Sequence, residues 1–260
     1  MTRARIVLTI AGSDSGGGAG IQADLRVFAR LGVFGTTAIT AVTAQNTLGV
    51  HEWMPIPAGL VRAQIDAVAT DLTPDAVKSG MLADASIVRA VAAALRTHAL
   101  RQYVLDPVML ASSGTPLLDR EGVAVLRREL IPLATIVTPN LAEAAALTGE
   151  PVTDLQGMRR AAVLLVDRDG AQSALVTGGH LRGTTTVDVL YDGAAPPRLL
   201  RHRRVETRHT HGTGCTLSAA IAARLAVGDS LLDAVRAAIR YVHRALLRPP
   251  DVGAGTGPVG

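Results

Sequence analysis

The sequence predicts an α/β fold: a three-layer α/β/α sandwich around a mainly parallel central sheet, with an antiparallel hairpin at the sheet edge. Three observations carry this reading. Short Val/Ile/Leu-rich runs alternate with longer Ala-rich segments of helical period along the chain, the pattern of repeated β-α units. The stretch from Thr185 to Thr207 breaks that rhythm, with Asp192-Gly193 between two extended runs, as a hairpin requires. The residues after each predicted strand are small and polar, and open α/β sheets bind ligands beyond the carboxyl ends of their strands.

In chain order, the strand Arg5–Ala11 stops at Gly12 and is followed by a helix over Ala19–Leu31. Next come strand Thr36–Val42, helix Pro57–Asp71, strand Ala76–Lys78 and helix Ala85–Thr97. Strands Tyr103–Asp106, Ile136–Thr138 and Ser173–Thr177 meet Pro107, Pro139 and Gly178. They are joined by helices Asp119–Glu129, Leu141–Leu147 and Leu155–Arg168. The hairpin pairs Thr185–Tyr191 with Arg198–Thr207, and helices Gly214–Ala226 and Ser230–Leu247 close the chain. Arg248–Gly260 holds four glycines and three prolines and reads as a loosely ordered tail. One domain, residues 1–260, is expected, without internal repeats.

At 260 residues, 48% hydrophobic and 18% charged, the chain is not disordered, and no apolar run approaches the roughly 20 residues of a membrane span. Cys215 is the only cysteine, which excludes an internal disulfide and a zinc site of several thiolates. It fits a reducing compartment. Met1–Arg5 leads directly into an apolar strand with no export signal, so a cytoplasmic location is expected. The net charge is +4, but Lys78 is the only lysine and aromatics make up 2%. Nucleic acid is therefore not an expected partner, and neither is a membrane.

Two glycine-dense turns stand out. Gly12–Gly20 opens the first helix, where free backbone N–H groups can hold an anion or a polar ring. Gly18-x-Gly20-x-x-Ala23 lacks the later acidic residue of a dinucleotide fingerprint, and Lys78-Ser79 lacks the glycine of a phosphate loop. Thr210–Thr216 precedes a long Ala-rich helix, so its N–H groups and the helix dipole favour negative charge. Cys215 falls in that first turn, where the dipole is expected to lower its thiol pKa; a small buried hydrophobe is the plain alternative. His209, His211 and Cys215 lack a fourth zinc ligand. Asn140 and Glu143 have the spacing of a capping box, and equally of oxygen ligands ordering Mg²⁺, with Asp106 as a further carboxylate.

Together these segments resemble a known family. Ala11–Asp24, Thr43-Ala44-Gln45-Asn46-Thr47, Lys78–Leu82, Asp106–Met109, Thr138-Pro139-Asn140-x-x-Glu143-Ala144 and Thr210–Leu217 are similar to the hydroxymethylpyrimidine/phosphomethylpyrimidine kinases of thiamine biosynthesis, in the ribokinase-like superfamily. The resemblance implies ATP-dependent phosphorylation of 4-amino-5-hydroxymethyl-2-methylpyrimidine and then of its monophosphate, with Mg²⁺, in a homodimer. It places Gln45 on the pyrimidine, with Gly12, Asp24, Met81 and Val108 lining the pocket. It makes Gly212, Gly214 and Cys215 the catalytic anion hole, Cys215 standing where many sugar kinases place an aspartate base. Asn140, Thr177, Gly179 and Thr213 fall to the nucleotide, and Glu143 and Asp106 to the metal. Removing an alcohol proton matters only in the first transfer, so Cys215 is expected to matter more there.

Two departures stand out. Thr177 occupies a position where many relatives carry lysine, a gap that arginines of the Arg198–Arg208 stretch can fill, and the tail ends without the family's usual His and aromatic residues. The alternatives are a pyridoxal or pyridoxine kinase and a non-catalytic vitamin- or nucleotide-binding regulator on the same fold. Asn140, Glu143, Asp106 and the Gly212–Cys215 turn, present together, argue against the regulator.

Overall fold

The computed structural model describes residues 3–111 and 114–260. Its first half runs β1 (Ile6–Asp14), α1 (Gly20–Arg30), β2 (Phe34–Asn46), β3 (Gly49–Pro55), α2 (Ala58–Asp71), β4 (Ala76–Ser79), α3 (Ala85–Thr97) and β5 (Tyr103–Leu105). The second half runs α4 (Arg120–Glu129), β6 (Ile136–Val137), α5 (Leu141–Thr148), α6 (Leu155–Val163), β7 (Ala174–Val176), β8 (Thr185–Tyr191), β9 (Arg198–Arg203), α7 (Thr213–Ala226) and α8 (Leu231–Leu247). The nine strands form one sheet in the order β3-β2-β1-β4-β5-β6-β7-β8-β9. Strands β2, β1, β4, β5, β6 and β7 are parallel, whereas β3, β8 and β9 run antiparallel at the edges. No helix among the described residues is long and apolar enough to cross a membrane.

Alternation along the strands divides the core in two. Val7, Val104 and Ile136 pack with Phe28 of α1 and with Ile221, Val235 and Ile239 of α7 and α8. Leu8, Ile10, Val77 and Leu105 face the other way, onto Ile65, Val88, Leu126, Leu147 and Met158 of α2 to α6. The sheet is covered on both faces, as a parallel sheet requires. Helices α3, α4, α5, α6 and α8 have side-chain caps from Asp84, Asp119, Asn140, Asp154 and Ser230. Helices α1, α2 and α7 have none, and at α7 Gly212, at φ 79°, stands at the N-terminus.

The expected sandwich and edge hairpin are present. Strand β3 was not expected, because Gly49–Pro55 is half-buried to exposed throughout and lacks clean alternation. It pairs with Ala41–Asn46 of β2, overlapping the pairing with β1 at Val42 and Thr43 and running beyond it. The tail is also ordered, contrary to the expectation of a loose terminus. His211 N–H donates to Gly257 O (3.1 Å), Val259 N–H to His211 O (3.2 Å) and Gly260 N–H to Ala245 O (3.2 Å). Its glycines permit close packing: a Cβ on Gly257 would lie 2.1 Å from His209 Nδ1, and one on Gly255 2.1 Å from Thr47 O.

Deleting residues 253–260 uncovers the sites that hold Val259, itself 4% exposed, and removes these bonds. It is expected to lower the unfolding free energy by about 2 kcal/mol and to speed amide exchange at His211. Urea unfolding with exchange mass spectrometry checks both.

Candidate active site

The first glycine-rich turn is organised by a carboxylate of its own. Asp14, the last residue of β1, accepts from Gly16 N–H (2.8 Å) through Oδ1 and from Gly18 (3.0 Å) and Ala19 (2.9 Å) through Oδ2. His211 Nε2 lies 3.0 Å from the same Oδ2. Burial works against the charge, but these bonds and His211 outweigh it and hold the Asp14 carboxyl below its usual range. The loop's N–H groups are thus not left open for an external anion, as the glycine pattern suggested. Glycine is required at Gly20, where φ is +57° and a Cβ would sit 2.3 Å from Gly12 O.

Beneath the turn lies a buried charged layer. Lys78 Nζ donates to Asp24 Oδ2 (2.8 Å), with neither side chain exposed, and Thr9 Oγ1 donates to the same oxygen (2.6 Å). Asp24 therefore does not line the pocket surface, as expected of it; it is enclosed between β1, β4 and α1. Burial opposes the lysine charge, but Asp24, Cys215 and Asp106 together raise its pKa. A lone lysine in an apolar strand was the available signal for this pair.

Asp106, directly after β5, accepts from Ser218 Oγ (3.0 Å) and from the Cys215 thiol. Burial pushes the Cys215 thiol up to about 12, with Lys78 pulling against it and Asp106 and Asp24 adding to it. The expectation that the helix dipole lowers this pKa is overturned, because desolvation and two neighbouring carboxylates outweigh the dipole. Asn140 and Glu143 form a complete capping box, Asn140 N–H to Glu143 Oε2 at 2.9 Å and Glu143 N–H to Asn140 Oδ1 at 3.0 Å. Glu143 is nonetheless only 8% exposed, and burial with the nearby Asp106 charge pushes it up to about 8. Among the described residues, no group of three or more His, Cys, Asp or Glu side chains is placed to hold a metal. His209 and His211 turn to different partners, Asp251 and Asp14.

Gln45 sits at a break in register where β3 bulges against β2, with His51 as the extra residue between Glu52, opposite Ala44, and Val50, opposite Gln45. It lines a cleft with Asn46, Thr47, Leu48, Gly49, Ala111, His211 and Thr256, the last supplied by the docked tail. Gly12 and Met81 pack together nearby, a Cβ on Gly12 falling 3.0 Å from the Met81 sulfur, while Thr40 Oγ1 fixes Met81 O at 2.6 Å. Val108 is half-buried, its N–H bound to Asp106 O (2.9 Å). At the α7 terminus, Thr213 Oγ1 donates to Thr210 O (2.6 Å), and Gly214 is exposed with nothing near its Cα to hinder approach.

At the end of β7, Thr177 N–H donates to Pro139 O (2.9 Å) and joins the Asn140 turn to Gly178-Gly179. Gly178 N–H donates to buried Asp188 (2.9 Å). Arg204 closes the loop from the other side, Nε on Gly183 O (2.8 Å), Nη1 on Gly179 O (2.7 Å) and Nη2 on Leu181 O. An arginine from the hairpin thus does reach the segment after Thr177, but it binds carbonyls and shapes the loop. Sequence reading missed the roles of Asp14, His211, Asp188 and Arg204, whose partners are distant in the chain.

Burial pushes Asp188 up to about 6 from its ordinary 3.8, with Gly178 N–H pulling the other way. Between those values the folded chain keeps a proton that the unfolded chain has lost, so stability falls as pH rises through this window and is level above it. Asp188→Asn keeps the acceptor for Gly178 without the charge. Relative to wild type, it is expected to gain roughly 3 kcal/mol between pH 4 and pH 7. Urea unfolding at the two pH values measures this, and an unchanged difference overturns it.

Comparison with known proteins places this geometry in a family. The model of the phosphomethylpyrimidine kinase family matches residues 14–260. The chain is 52% identical over 257 residues to a hydroxymethylpyrimidine/phosphomethylpyrimidine kinase of Rhizobium meliloti, covering 98% of this chain and 96% of the relative. A phosphomethylpyrimidine kinase from Clostridium difficile has a similar structure, with TM-score 0.82 and 38% identity over 93% of this chain and 99% of that one. Pyridoxal kinase of Bacillus subtilis, solved as an ADP complex, gives TM-score 0.91 and 38% identity over 99% of this chain and 97% of that one. The fold is ribokinase-like, and the chain belongs to the phosphomethylpyrimidine kinase family.

Proposed function

We propose that the protein transfers the γ-phosphoryl group of ATP to 4-amino-5-hydroxymethyl-2-methylpyrimidine, and then to the resulting monophosphate, giving the diphosphate for thiamine biosynthesis. The observation that carries this reading is the grouping of the Gln45 cleft, Cys215, Asp106 and the uncapped α7 terminus beyond the carboxyl ends of the strands, in a chain 52% identical to a kinase of that name. The pyrimidine lies in the cleft against Gln45, with Gly12, Met81 and Val108 around it. Asp24 acts from below by fixing Lys78 and α1.

The N–H groups at Gly212 and Gly214 receive the charge that spreads over the transferring phosphoryl oxygens, while Thr213 N–H holds the turn by donating to Thr210 O (3.2 Å). Asn140, Thr177 and Gly179 lie along the nucleotide, on the loop that Arg204 shapes. Asp106 and Glu143 are both buried carboxylates, burial raises the pKa of each, and the Asp106 charge raises that of Glu143 further. Two buried carboxylates of this kind fit a divalent cation, and Mg²⁺ is commonly held by one or two carboxylates plus substrate phosphates. When bound, it would neutralise charge on the ATP phosphates. The Cys215 thiol is protonated and donates to Asp106. It therefore takes up the alcohol proton only as its own proton passes to that carboxylate, a relay that the second transfer does not need because its acceptor is already anionic.

The fit of pyridoxal kinase at TM-score 0.91 supports a second reading, a pyridoxal kinase. A homodimer is also proposed, through the β2–β3 ribbon, where Val42 and Met54 are directly opposed across the strands and both exposed. Such an apolar pair beside an open edge strand suits a second copy of the ribbon.

An ADP-release assay with Mg·ATP is expected to give turnover on both pyrimidine acceptors, with diphosphate as the final product by mass. Turnover on pyridoxal alone would establish the second reading. Cys215→Ala is expected to lose activity at least tenfold more on the alcohol than on the monophosphate, a typical span for removing an acid–base group; equal losses would rule out the relay. Met54→Asp is expected to convert a dimer to a monomer in sedimentation velocity, and a wild-type monomer would exclude the ribbon interface.

A further inference from the structure

At the mouth of the cleft, Gln45, His211, Asp14 and Thr43 are linked closely enough to decide which way the Gln45 amide is turned. His211 Nε2 lies 3.0 Å from Asp14 Oδ2 and 3.2 Å from the terminal Gln45 atom placed as nitrogen. In the plane of the ring, one imidazole nitrogen offers either an N–H or a lone pair, never both. Asp14 accepts three backbone N–H bonds and is a carboxylate, so Nε2 must carry the proton and donate to it. No lone pair then remains there to receive an amide N–H.

Thr43 leads to the same result from the other end of the amide. Its hydroxyl lies 3.1 Å from Ser13 O and 3.3 Å from the Gln45 atom placed as oxygen. A hydroxyl has one proton, and Ser13 O can only accept it. Thr43 Oγ1 therefore faces Gln45 as an acceptor. Amide oxygen and nitrogen are assigned from their partners, and both neighbours call for the same half-turn. The carbonyl faces His211 and the NH₂ faces Thr43, which leaves the second amide N–H for the cleft that Gln45 lines.

We propose that Asp14, His211 and Thr43 fix the polarity of Gln45, so that it presents an N–H donor to the cleft and selects a heteroaromatic substrate with an unprotonated ring nitrogen at that edge. His211 is then a positioning residue for substrate choice, acting through Gln45. The inference rests on the reading above that the heterocycle enters this cleft. It narrows that reading, since an amide free to turn would accept a ring donor equally well.

Calorimetric binding of 4-amino-5-hydroxymethyl-2-methylpyrimidine tests the proposal without requiring turnover, with binding of a non-hydrolysable ATP analogue measured alongside. Gln45→Glu keeps an oxygen towards His211 but replaces the donor by an acceptor, so it should weaken pyrimidine binding about tenfold or more and leave nucleotide binding unchanged. His211→Leu should weaken pyrimidine binding, and His211→Gln, which can still donate to Asp14, should restore most of it. In a Gln45→Leu background, His211→Leu should cause no further loss. An analogue with C–H in place of the ring nitrogen should bind wild type poorly and Gln45→Leu no worse than the parent compound does.

Wild-type affinity in Gln45→Glu, or additive losses in the double variant, would overturn the proposal even if His211→Leu proved unstable. If wild type binds only pyridoxal, the pyrimidine reading fails and the same cycle is run on pyridoxal, where additivity again decides. Absence of binding by either heterocycle overturns the inference as well.

Discussion

The Asp14 carboxylate is the interaction on which the site depends. Four groups converge on it, the N–H groups of Gly16, Gly18 and Ala19 and the imidazole of His211, and the last lies 197 residues away in the chain. One side chain at the end of β1 thus turns the glycine-rich loop into α1 and pins the segment leading to α7 beside it. The closeness of the two turns leaves no room for side chains: a Cβ on Gly212 would fall 2.0 Å from Gly18 O, and one on Gly18 2.2 Å from His211 Cδ2. Glycine at both positions is a packing requirement as much as a conformational one.

The Lys78–Asp24 pair below this junction is costly. Each ion loses several kcal/mol of solvation on burial, which mutual attraction repays only with good geometry and further hydrogen bonds. Asp24 Oδ2 has both, from Lys78 and Thr9, but Oδ1 is buried with no partner in the structure. A stable core alone would be served better by apolar residues. The pair instead fixes a lysine ammonium, balanced by Asp24, beside the Asp106 carboxyl and the Cys215 thiol.

Most of the fold was legible because the chain alternates short β-branched runs with Ala-rich helical ones, a local signal. Helix α3 was read to its ends, since Asp84 stops the preceding segment and caps the helix. Strand β3 was not legible, because it is an edge strand half open to solvent and its alternation is lost. The tail was misread for a related reason: glycine and proline are the composition of a disordered end, but here the same glycines allow the backbone to close on Thr47 and His209. In the site, Cys215, Asp106 and Glu143 stood out as residues after strands or in a helix's first turn, whereas Gln45 came only from the family resemblance. Asp24 was misplaced, because the sequence shows a carboxylate on a helix but not the lysine that encloses it. The Cys215 pKa was misjudged because the dipole of α7 is visible in sequence and the neighbouring acids are not.

The two glycine-rich turns look alike in sequence and differ in what their N–H groups do. In the first turn, the protein's own carboxylate takes the donors, so an incoming phosphate would meet a negative charge already in place. The second turn starts a helix with no side-chain cap, whereas five other helices carry one. Apart from Thr213 N–H, which donates to Thr210 O, the donors of that turn are the ones the proposed function gives to an anion. The first turn is then free to shape the cleft for a neutral ring, with His211 joining the two. Phosphate on one side and heterocycle on the other is the separation that an in-line transfer between them requires.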